Sequence, residues 1–243
     1  MNIKVIGQTN TGLVRGHNED SFWFDSELGV AIVSDGMGGH AAGEVASLIA
    51  VESFKKVITA RFTRSETIED VKTLLSNSIG LANQEVLISM KNESSQQGMG
   101  ATAVCACYWD KLYIIANIGD SRAYYIDKDK ISQITKDDSL VQKYVDDGII
   151  NEEQARVHPQ KNVITRHIGG HKDATPEIYT VEAVPNSKLL LCSDGLNSVM
   201  TDNEIFTIVN NAVDSETACE ILISKTLEYG APDNVTVVIF EIR

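Results

Sequence analysis

Short apolar segments that follow one another without helices between them constrain the fold of this chain most strongly. Five such segments are rich in β-branched residues, as buried strands are, and they occupy residues 29–34, 101–109, 112–117, 188–192 and 235–242. Strands joined by a short turn pair antiparallel, whereas parallel pairing needs a crossover of about a dozen residues or more. The pattern therefore predicts mainly antiparallel sheets rather than a doubly wound parallel sheet.

Helical patterns come in two pairs. In the first pair, residues 41–58 are apolar on a broad face, and the next helix carries an apolar stripe formed by Ile68, Val71, Leu75, Ile79, Ala82, Val86 and Met90. In the second pair, Thr201 and Glu204 form a capping-box pattern that opens one helix, and residues 215–229 form another. We therefore expect an α+β protein, a four-layer α-β-β-α sandwich of two mainly antiparallel sheets flanked by helix pairs.

The segment from about residue 141 to residue 170 differs from the rest of the chain. It is polar and lacks a long apolar periodicity, so we expect it to run over the surface as a flap insert. Excursions of this kind are often lids over functional sites, although many are inert insertions. With only four prolines and no linker rich in Pro, Gly or Ser, residues 1–243 are expected to form a single domain that carries this flap.

Charge and composition exclude several classes of protein. The 34 acidic and 21 basic side chains among 243 residues give a formal charge of −13. Such an acidic chain lacks the basic footprint that nucleic acids and anionic membrane surfaces require, so neither is expected as a partner. The hydrophobic fraction of 43% is that of a globular protein rather than of a disordered or coiled-coil chain.

The cysteines and the terminal segments indicate a cytoplasmic protein. The first residues lack an apolar core of signal-peptide length, and no stretch approaches the roughly 18 apolar residues of a membrane span. The four cysteines lie among hydrophobic residues, where a free thiol packs as a small core residue; they are Cys105, Cys107, Cys192 and Cys219. We expect reduced, structural cysteines, and a freestanding domain, because Arg243 directly follows the last predicted strand.

Acidic residues recur at the ends of the apolar strands, often beside glycine. They are Glu19, Asp20, Asp35, Asp120, Asp194 and Asp233. A single Asp-Gly pair after a strand is only a good turn. Five acidic sites in one sandwich, with the adjacent Glu19 and Asp20 counted as one, could converge on one end of the molecule. Converging carboxylates repel one another and raise one another's pKa, so they need cations or protons in order to coexist.

The types of ligand in this set select a class of metal chemistry. The ligands are all oxygens, with no His-x-His or Cys-x-x-Cys pair, which suits Mg²⁺ or Mn²⁺ rather than Zn²⁺. Two such ions about 3.5–4 Å apart can bridge a water molecule and make hydroxide available near neutral pH. The pattern therefore indicates metal-assisted hydrolysis of a phosphate ester.

Six motifs occur in order around these residues. They are Arg-Gly-His-Asn-Glu-Asp-Ser at 15–21, Ser-Asp-Gly-Met-Gly-Gly-His at 34–40, Met-Gly-Ala-Thr at 99–102, Gly-Asp-Ser-Arg at 119–122, Ser-Asp-Gly at 193–195 and Asp-Asn-Val-Thr at 233–236. From about residue 7 to residue 240, the chain resembles the metal-dependent protein phosphatases of the PPM, or type 2C, family in their compact bacterial form. The resemblance implies a serine/threonine phosphoprotein phosphatase with the sandwich fold expected above.

The resemblance also implies roles for the acidic residues. In the family, the residue that matches Asp35 bridges two metal ions, and the residue that matches Gly36 offers its backbone carbonyl. Asp194 and Asp233 match ligands that complete the shell of one ion. The Glu19–Asp20 pair matches the family residues that ligate the other ion, either directly or through water.

Two further matches concern a third ion and the substrate. Asp120, together with Asp194, matches the ligands of a third ion that bacterial relatives often bind. Arg15 matches the arginine that binds phosphate, whose guanidinium fork suits phosphate oxygens better than lysine does. The implied reaction is a single-step hydrolysis in which a metal-bridging hydroxide attacks phosphorus while Arg15 holds the phosphate oxygens. The leaving alkoxide would be protonated by metal-bound water or by His40.

The chain departs from the family pattern at two places. Some eukaryotic members carry a histidine directly after the Asp-Gly pair as a general acid, whereas this chain has Met37. His40 is the nearest substitute, with an ordinary pKa of about 6.5, and is equally well explained as an exposed or helix-capping residue. Asp138 replaces the commoner histidine, which leaves the metal ligands intact and bears on contacts between substrate and flap.

Other functions make different demands on the sequence. The second major serine/threonine phosphatase family needs Gly-Asp-x-His and Gly-Asn-His-Glu motifs, and neither occurs. A nucleotide-binding module needs Gly-x4-Gly-Lys, which does not follow the glycine pair at 38–39. A catalytically weak regulatory module that binds phosphoproteins is the main alternative, although every expected carboxylate is present. The implied partners are phosphoserine and phosphothreonine proteins, in particular a Hanks-type Ser/Thr kinase and its substrates.

Overall fold

Two antiparallel sheets with helices on their outer faces make up the structure. The computed structural model describes residues 3–38, 42–171 and 174–242. In chain order the strands are β1 (Ile3–Asn10), β2 (Asp20–Asp25), β3 (Val30–Met37), β4 (Gly100–Ala101), β5 (Ala103–Trp109), β6 (Leu112–Ile118), β7 (Arg122–Ile126), β8 (Ile131–Gln133), β9 (Glu177–Glu182), β10 (Lys188–Cys192) and β11 (Val235–Ile242). The helices are α1 (Ala42–Arg61), α2 (Ile68–Asn92), α3 (Leu140–Asp146), α4 (Glu152–Arg156), α5 (Asp194–Asn197), α6 (Asp202–Asn211) and α7 (Ser215–Glu228).

Strand order defines the two sheets. One sheet has the order β1-β11-β10-β7-β8, and the other has the order β2-β3-β5-β6-β9, with the short β4 paired to β3. Each of these pairings is antiparallel. The prediction of mainly antiparallel sheets is therefore confirmed.

The alternation of side chains along the strands divides the core into three layers. In β3, Ala31 and Val33 belong to the layer between the two sheets, whereas Val30 and Ile32 pack with residues of α1 and α2. Strand β11 divides its side chains in the same way between the central layer and the layer under α6 and α7. Because successive strand residues point to opposite faces, each sheet is apolar on both sides. The predicted four-layer α-β-β-α sandwich is confirmed.

Strands at the sheet edges explain the differences between the sequence pattern and the structure. Strands β1, β2, β8 and β9 are the four edge strands, and most of their residues are only half-buried or exposed. An edge strand has less side-chain surface to bury, so it does not show the continuous apolar run of a central strand. The run at residues 101–109 is also interrupted, because Thr102 separates β4 from β5.

The polar segment after β8 lies outside both sheets and contains the short helices α3 and α4. Its helices begin at polar caps: Ser139 accepts a hydrogen bond from the backbone of Gln142, and Asn151 forms a capping box with Gln154. We call residues 139–166 the flap, and this range corresponds to the insert expected at about 141–170. Its helices are too short to show a long apolar stripe, which is why the sequence pattern gave no helix there.

The state of the cysteines and the character of the helices can be compared with the sequence expectations. All four cysteines are buried free thiols, as expected for structural residues. None of the helices in the described ranges is both long enough and apolar enough to cross a membrane.

Candidate active site

Strand ends from both sheets bring the acidic residues to one end of the sandwich. Asp20 begins β2 and lies opposite Asp35 of β3 in the antiparallel register, while Asp194 follows β10 and Asp233 precedes the neighbouring β11. The pKa of Asp35 is raised well above its ordinary value, first by burial and then by the charges of Asp20, Asp194, Asp120 and Asp233. The five carboxyl groups are therefore close enough to act on one another.

Asp35 and Asp194 form the centre of this group. Each side chain keeps a partly accessible surface, yet enough protein surrounds it for burial to be the main cause of its raised pKa. The pKa of Asp194 rises to about 6 through burial and the charge of Asp233, although a hydrogen bond with Asp35 opposes this rise. Burial and like charges raise both pKa values, so a proton or a cation is needed to stabilise the pair.

Asp20 is the most completely buried carboxyl group of the site, with 7% of its surface exposed. Its Oδ2 accepts hydrogen bonds from the hydroxyls of Ser193 and Thr236, both at 2.7 Å. Its Oδ1 is buried and has no hydrogen-bond partner among the described residues. Burial raises the pKa of Asp20 to about 7 in spite of the two hydroxyls, which lower it. One oriented carboxylate oxygen is thus left for a further ligand.

Thr102 connects the strand that carries Asp35 to the turn that carries Asp120. The Asp35 backbone N–H donates to Thr102 Oγ1 at 3.0 Å, and the Thr102 N–H donates to the Asp35 carbonyl at 2.9 Å. The same Thr102 hydroxyl lies 2.7 Å from Ser121 Oγ, directly after Asp120. A Cβ on Gly119 would stand 2.6 Å from Thr102 Cγ2, so this turn requires glycine.

Gly36 and Glu19 meet where β3 passes the start of α1. A Cβ on Gly36 would lie 2.1 Å from the Gly43 carbonyl oxygen, so only glycine allows this approach of the two backbones. The Gly36 N–H donates to the Glu19 carbonyl at 3.1 Å, and the Ser47 hydroxyl donates to the same carbonyl at 2.6 Å. The pKa of the Glu19 side chain is raised by burial. The backbone of the Glu19 segment is therefore fixed beside Asp35.

Arg15 reaches the site from the loop after β1. Its Nη2 lies 2.6 Å from Asp233 Oδ2, and about half of its side-chain surface, 51%, is exposed. The hydrogen bond to Asp233 raises the pKa of Arg15. Asn234 holds this loop in place, because its Nδ2 donates to the carbonyls of Thr11 and His17 at 2.8 and 2.9 Å. Arg15 is thus a cation at the accessible edge of an acidic site.

Asp120 faces a cavity between the sheets and the flap. Its pKa is raised by burial and then by the charge of Asp194. The cavity has a volume of about 190 Å³ and is lined by Asp120 and Asp194 together with flap residues such as Val141, Gln142 and Lys161. The carboxyl group of Asp120 is therefore accessible from the side of the molecule that the flap covers.

The donor set fits hard divalent cations, although the side chains are not yet arranged around one. Among the residues in the described ranges, no group of three or more His, Cys, Asp or Glu side chains could hold a metal ion as it stands. One contact contributes to this, because the Asp233 carboxylate is paired with Arg15. The oxygen-only ligands, the unpartnered Asp20 Oδ1 and the raised pKa values all indicate negative charge that the protein leaves uncompensated.

Sequence reasoning found the carboxyl groups but missed the neutral groups that orient them. These are Thr102, Ser121, Ser193, Asn234 and Thr236. Each belongs to one of the six motifs, so the motifs contained them without indicating a role. The predicted general acid, His40, lies outside the described residues and stays a prediction.

The fold and the site together define the class of metal-dependent phosphatases, and comparisons with known proteins agree. The sequence model of the family described as protein phosphatase 2C matches residues 15–229. The serine/threonine phosphatase Stp of Listeria innocua is 35% identical to this chain, over 96% of this chain and 94% of its own length. The protein phosphatase PhpP of Streptococcus pneumoniae is 33% identical, over 94% of this chain and 93% of its own length.

Solved structures show the same likeness. The crystal structure of the Mycobacterium tuberculosis serine/threonine phosphatase PstP has a TM-score of 0.91 at 33% identity and covers 99% of both chains. The catalytic domain of PstP in complex with two manganese ions has a TM-score of 0.88 at 32% identity, again over 99% of both chains. This chain belongs to the protein phosphatase 2C family, and the predicted class, a metal-dependent serine/threonine phosphatase, is confirmed.

Replacing Thr102 with valine should weaken the site without changing its carboxyl groups. Valine keeps the shape but cannot accept the Asp35 N–H, so we expect the free energy of unfolding to fall by about 1–3 kcal/mol. Loss of an orienting group should also weaken Mn²⁺ binding by about tenfold or more. Urea denaturation and titration calorimetry measure the two effects. Thr59→Val, at an exposed threonine of α1, is the matched control, and equal Mn²⁺ affinity in both variants would contradict the role of Thr102.

The metal-free protein should lose stability as the pH rises from about 4 to about 7. The folded pKa values of Asp20 and Asp194, about 7 and about 6, lie above the unfolded value of about 3.9. The folded protein therefore binds protons more tightly than the unfolded chain, and deprotonation favours unfolding. In EDTA, we expect the Tm to be higher at about pH 5 than at about pH 7.5, by about 4 °C.

Asp194→Asn separates this effect from the general charge of the chain. The variant should show a smaller pH dependence in EDTA and should lose the rise in Tm that Mn²⁺ causes in the wild type. An identical pH dependence in the two proteins would contradict the assignment of the effect to the buried carboxyl groups.

Proposed function

We propose that this chain hydrolyses phosphoserine and phosphothreonine esters in proteins at the site formed by Asp20, Asp35, Asp194 and Asp233. The family establishes the class of enzyme. The observation that supports this site is the gathering of mutually repelling carboxyl groups beside Arg15. Such a gathering is unfavourable for stability, because each carboxylate loses hydration and is repelled by the other negative charges. Bound cations would offset this cost.

The acidic residues would divide the cations between them as the family pattern implies. Asp35 and the Gly36 carbonyl would serve two ions, with Asp194 and Asp233 on one side and the Glu19–Asp20 pair on the other. When bound, two Mg²⁺ or Mn²⁺ ions supply an acidified water that attacks the phosphate ester. The hydroxyls of Ser193 and Thr236 donate to Asp20 Oδ2 and hold that side chain in one orientation. The direction of Asp20 Oδ1 is therefore also fixed.

A third ion is part of the same proposal. Asp120 and Asp194 line one wall of the cavity under the flap, and each raises the pKa of its neighbours by its charge. These two carboxyl groups are the oxygen ligands that such an ion would take.

Arg15 would bind the phosphate group of the substrate. One guanidinium nitrogen contacts Asp233, and a guanidinium offers five N–H donors in a planar fork, so donors remain for phosphate oxygens. Charge builds up on these oxygens during hydrolysis, and a positioned cation stabilises it. The leaving alkoxide then needs a proton, for which His40 is the candidate from the sequence.

The physiological setting is a proposal of wider scope. We infer that residues 1–243 form one phosphatase domain with a flap subdomain at about 141–170, acting in the cytoplasm on phosphoproteins. A Hanks-type Ser/Thr kinase and its substrates are the partners that fit this activity. The four free buried thiols support a reducing compartment, and the relatives named as serine/threonine phosphatases support the substrate class.

Hydrolysis of a phosphothreonine peptide tests the function directly. Wild-type protein should release phosphate with Mn²⁺ or Mg²⁺ and stop in EDTA, and Asp194→Asn should be slower by about a hundredfold or more, because it loses a cation ligand. Asp129→Asn, at an exposed carboxylate, is the matched control and should retain wild-type turnover. A folded wild-type protein without turnover in any metal would instead favour the phosphoprotein-binding module.

Replacing Arg15 with alanine should impair substrate capture more than metal binding. The KM for the phosphothreonine peptide should rise by about tenfold, since charge-assisted hydrogen bonds to phosphate are lost. Mn²⁺ binding by calorimetry should stay equal or become tighter, because Asp233 is released from its ion pair. Arg64→Ala, at an exposed arginine beyond α1, is the control. An unchanged KM in the Arg15 variant would refute its assignment to phosphate.

A further inference from the structure

Three charged side chains meet where the flap leaves and rejoins the sheets. Arg166 Nη1 lies 3.2 Å from Asp138 Oδ1 and 3.3 Å from Glu177 Oε1, and Arg166 Nη2 donates to the Thr175 carbonyl. Asp138 comes directly before the flap, Arg166 is its last residue, and Glu177 begins β9. We call Asp138, Arg166 and Glu177 the hinge cluster. One guanidinium thus joins three segments of the chain.

The other oxygen of Asp138 contacts the turn that carries Asp120. Asp138 Oδ2 accepts a hydrogen bond from the Gly119 N–H at 3.0 Å, and the Asp138 N–H donates to the Gly119 carbonyl at 2.9 Å. The side chain of Asp138 is only 10% exposed. A single carboxylate therefore touches both the residue before Asp120 and the arginine at the end of the flap.

Backbone contacts close the base of the flap at the same place. The Thr165 N–H donates to the Asp138 carbonyl at 2.7 Å, and the Leu140 N–H donates to the Val163 carbonyl at 2.8 Å. Beyond Arg166, Ile168 exchanges two backbone hydrogen bonds with Ala101, which pairs with Gly36. These bonds set the local register of the flap base but contain no side-chain contact to the Asp120 turn.

We propose that the hinge cluster positions the flap against the Asp120 turn and so sets the shape of the cavity between them. The flap residues Val141, Gln142 and Lys161 form the flap wall of that cavity, which Asp120 and Asp194 also line. A rotation at the flap base moves this wall, because both ends of the flap are anchored there. Asp138 and Arg166 are positioning residues, since they act through the wall rather than on the phosphate.

The ion pair suits this role because of its environment and its geometry. Asp138 is shielded from solvent, so salt and water screen the pair less than they screen an exposed pair. The planar guanidinium bonds to carboxylates in fixed directions, which a flexible ammonium does not do. Arg166 Nη1 donates a hydrogen bond to Glu177 Oε1, which orients the guanidinium. Asp138 adds the ion pair that joins this guanidinium to the Asp120 turn.

The consequence for substrates rests on the proposed phosphatase function, whereas the structural part does not. A phosphopeptide must fit residues on either side of its phosphoamino acid against the walls of the site. A small aryl phosphate needs only the carboxyl groups and Arg15. Displacing the flap should therefore affect the peptide more than the small substrate.

Amide hydrogen exchange tests the structural part. In Arg166→Gln and Asp138→Asn, where asparagine can still accept the Gly119 N–H, the Leu140 and Thr165 amides should exchange about tenfold faster, because local opening needs less free energy. The double variant should match Arg166→Gln, since that substitution already removes the ion pair with Asp138. Arg166→Lys keeps the charge and should restore part of the protection, and Arg64→Gln is the matched control.

Kinetics test the consequence for substrates. In both single variants the KM for a phosphothreonine peptide should rise about fivefold with kcat unchanged, as expected when one positioned ion pair is lost. The kcat/KM for p-nitrophenyl phosphate should stay within about twofold of wild type. Faster flap exchange with an unchanged peptide KM would overturn the link to cavity shape.

Two other outcomes also contradict the proposal. Unchanged exchange at Leu140 and Thr165 would show that the cluster does not restrain the flap. Faster exchange spread over both sheets, with a lower Tm, would show that the ion pair serves general stability instead. If wild-type protein fails to hydrolyse the peptide, the proposed function fails, and the exchange pattern still decides whether the hinge cluster positions the flap.

Discussion

Repulsion among buried carboxyl groups is the constraint on which the rest of the structure depends. Asp20, Asp35, Asp120 and Asp194 have raised pKa values because protein surrounds them and because their charges act on one another. A flexible loop would relieve this strain by turning the side chains to solvent. Here the groups stand at the ends of hydrogen-bonded strands, so the three apolar layers of the sandwich supply the free energy that keeps them together.

Neutral groups orient these carboxyl groups, and because they are neutral they do not cancel the negative charge of the site. Two hydroxyls donate hydrogen bonds to Asp20. The Thr102 hydroxyl accepts from the backbone N–H of Asp35, and the Asn234 side chain accepts from the backbone N–H of Glu19. A lysine or arginine in these places would form stronger bonds but would also neutralise the site and occupy the ligand positions. Arg15 is a cation in contact with one of the carboxyl groups, Asp233, and it stands at the exposed edge of the site.

The sequence predicted the fold and the acidic residues because both leave repeated signals. Central strands such as β5 and β6 are continuous apolar runs, and the carboxyl groups recur at strand ends. The edge strand β1 lacks such a run because it is half-buried. The role of Thr102 left no signal, since one threonine within an apolar run has no periodicity and its function depends on a contact with Asp35, 67 residues away in the chain. The contacts of Asp138 were equally unpredictable, because Arg166 and Gly119 meet it only in the folded chain.

The flap is held by a different kind of interaction from the sheets, and this explains its weak sequence signal. Between residues 140 and 165, Val141 is the only buried apolar side chain. The flap is attached instead by directional polar contacts, with Arg166 at its base and Arg156 donating to the Met200 carbonyl at 3.0 Å farther along. Such contacts contribute about 1 kcal/mol each, so they can break singly while the apolar core stays intact. The carboxyl groups can therefore stay rigid on the strand ends while the flap moves.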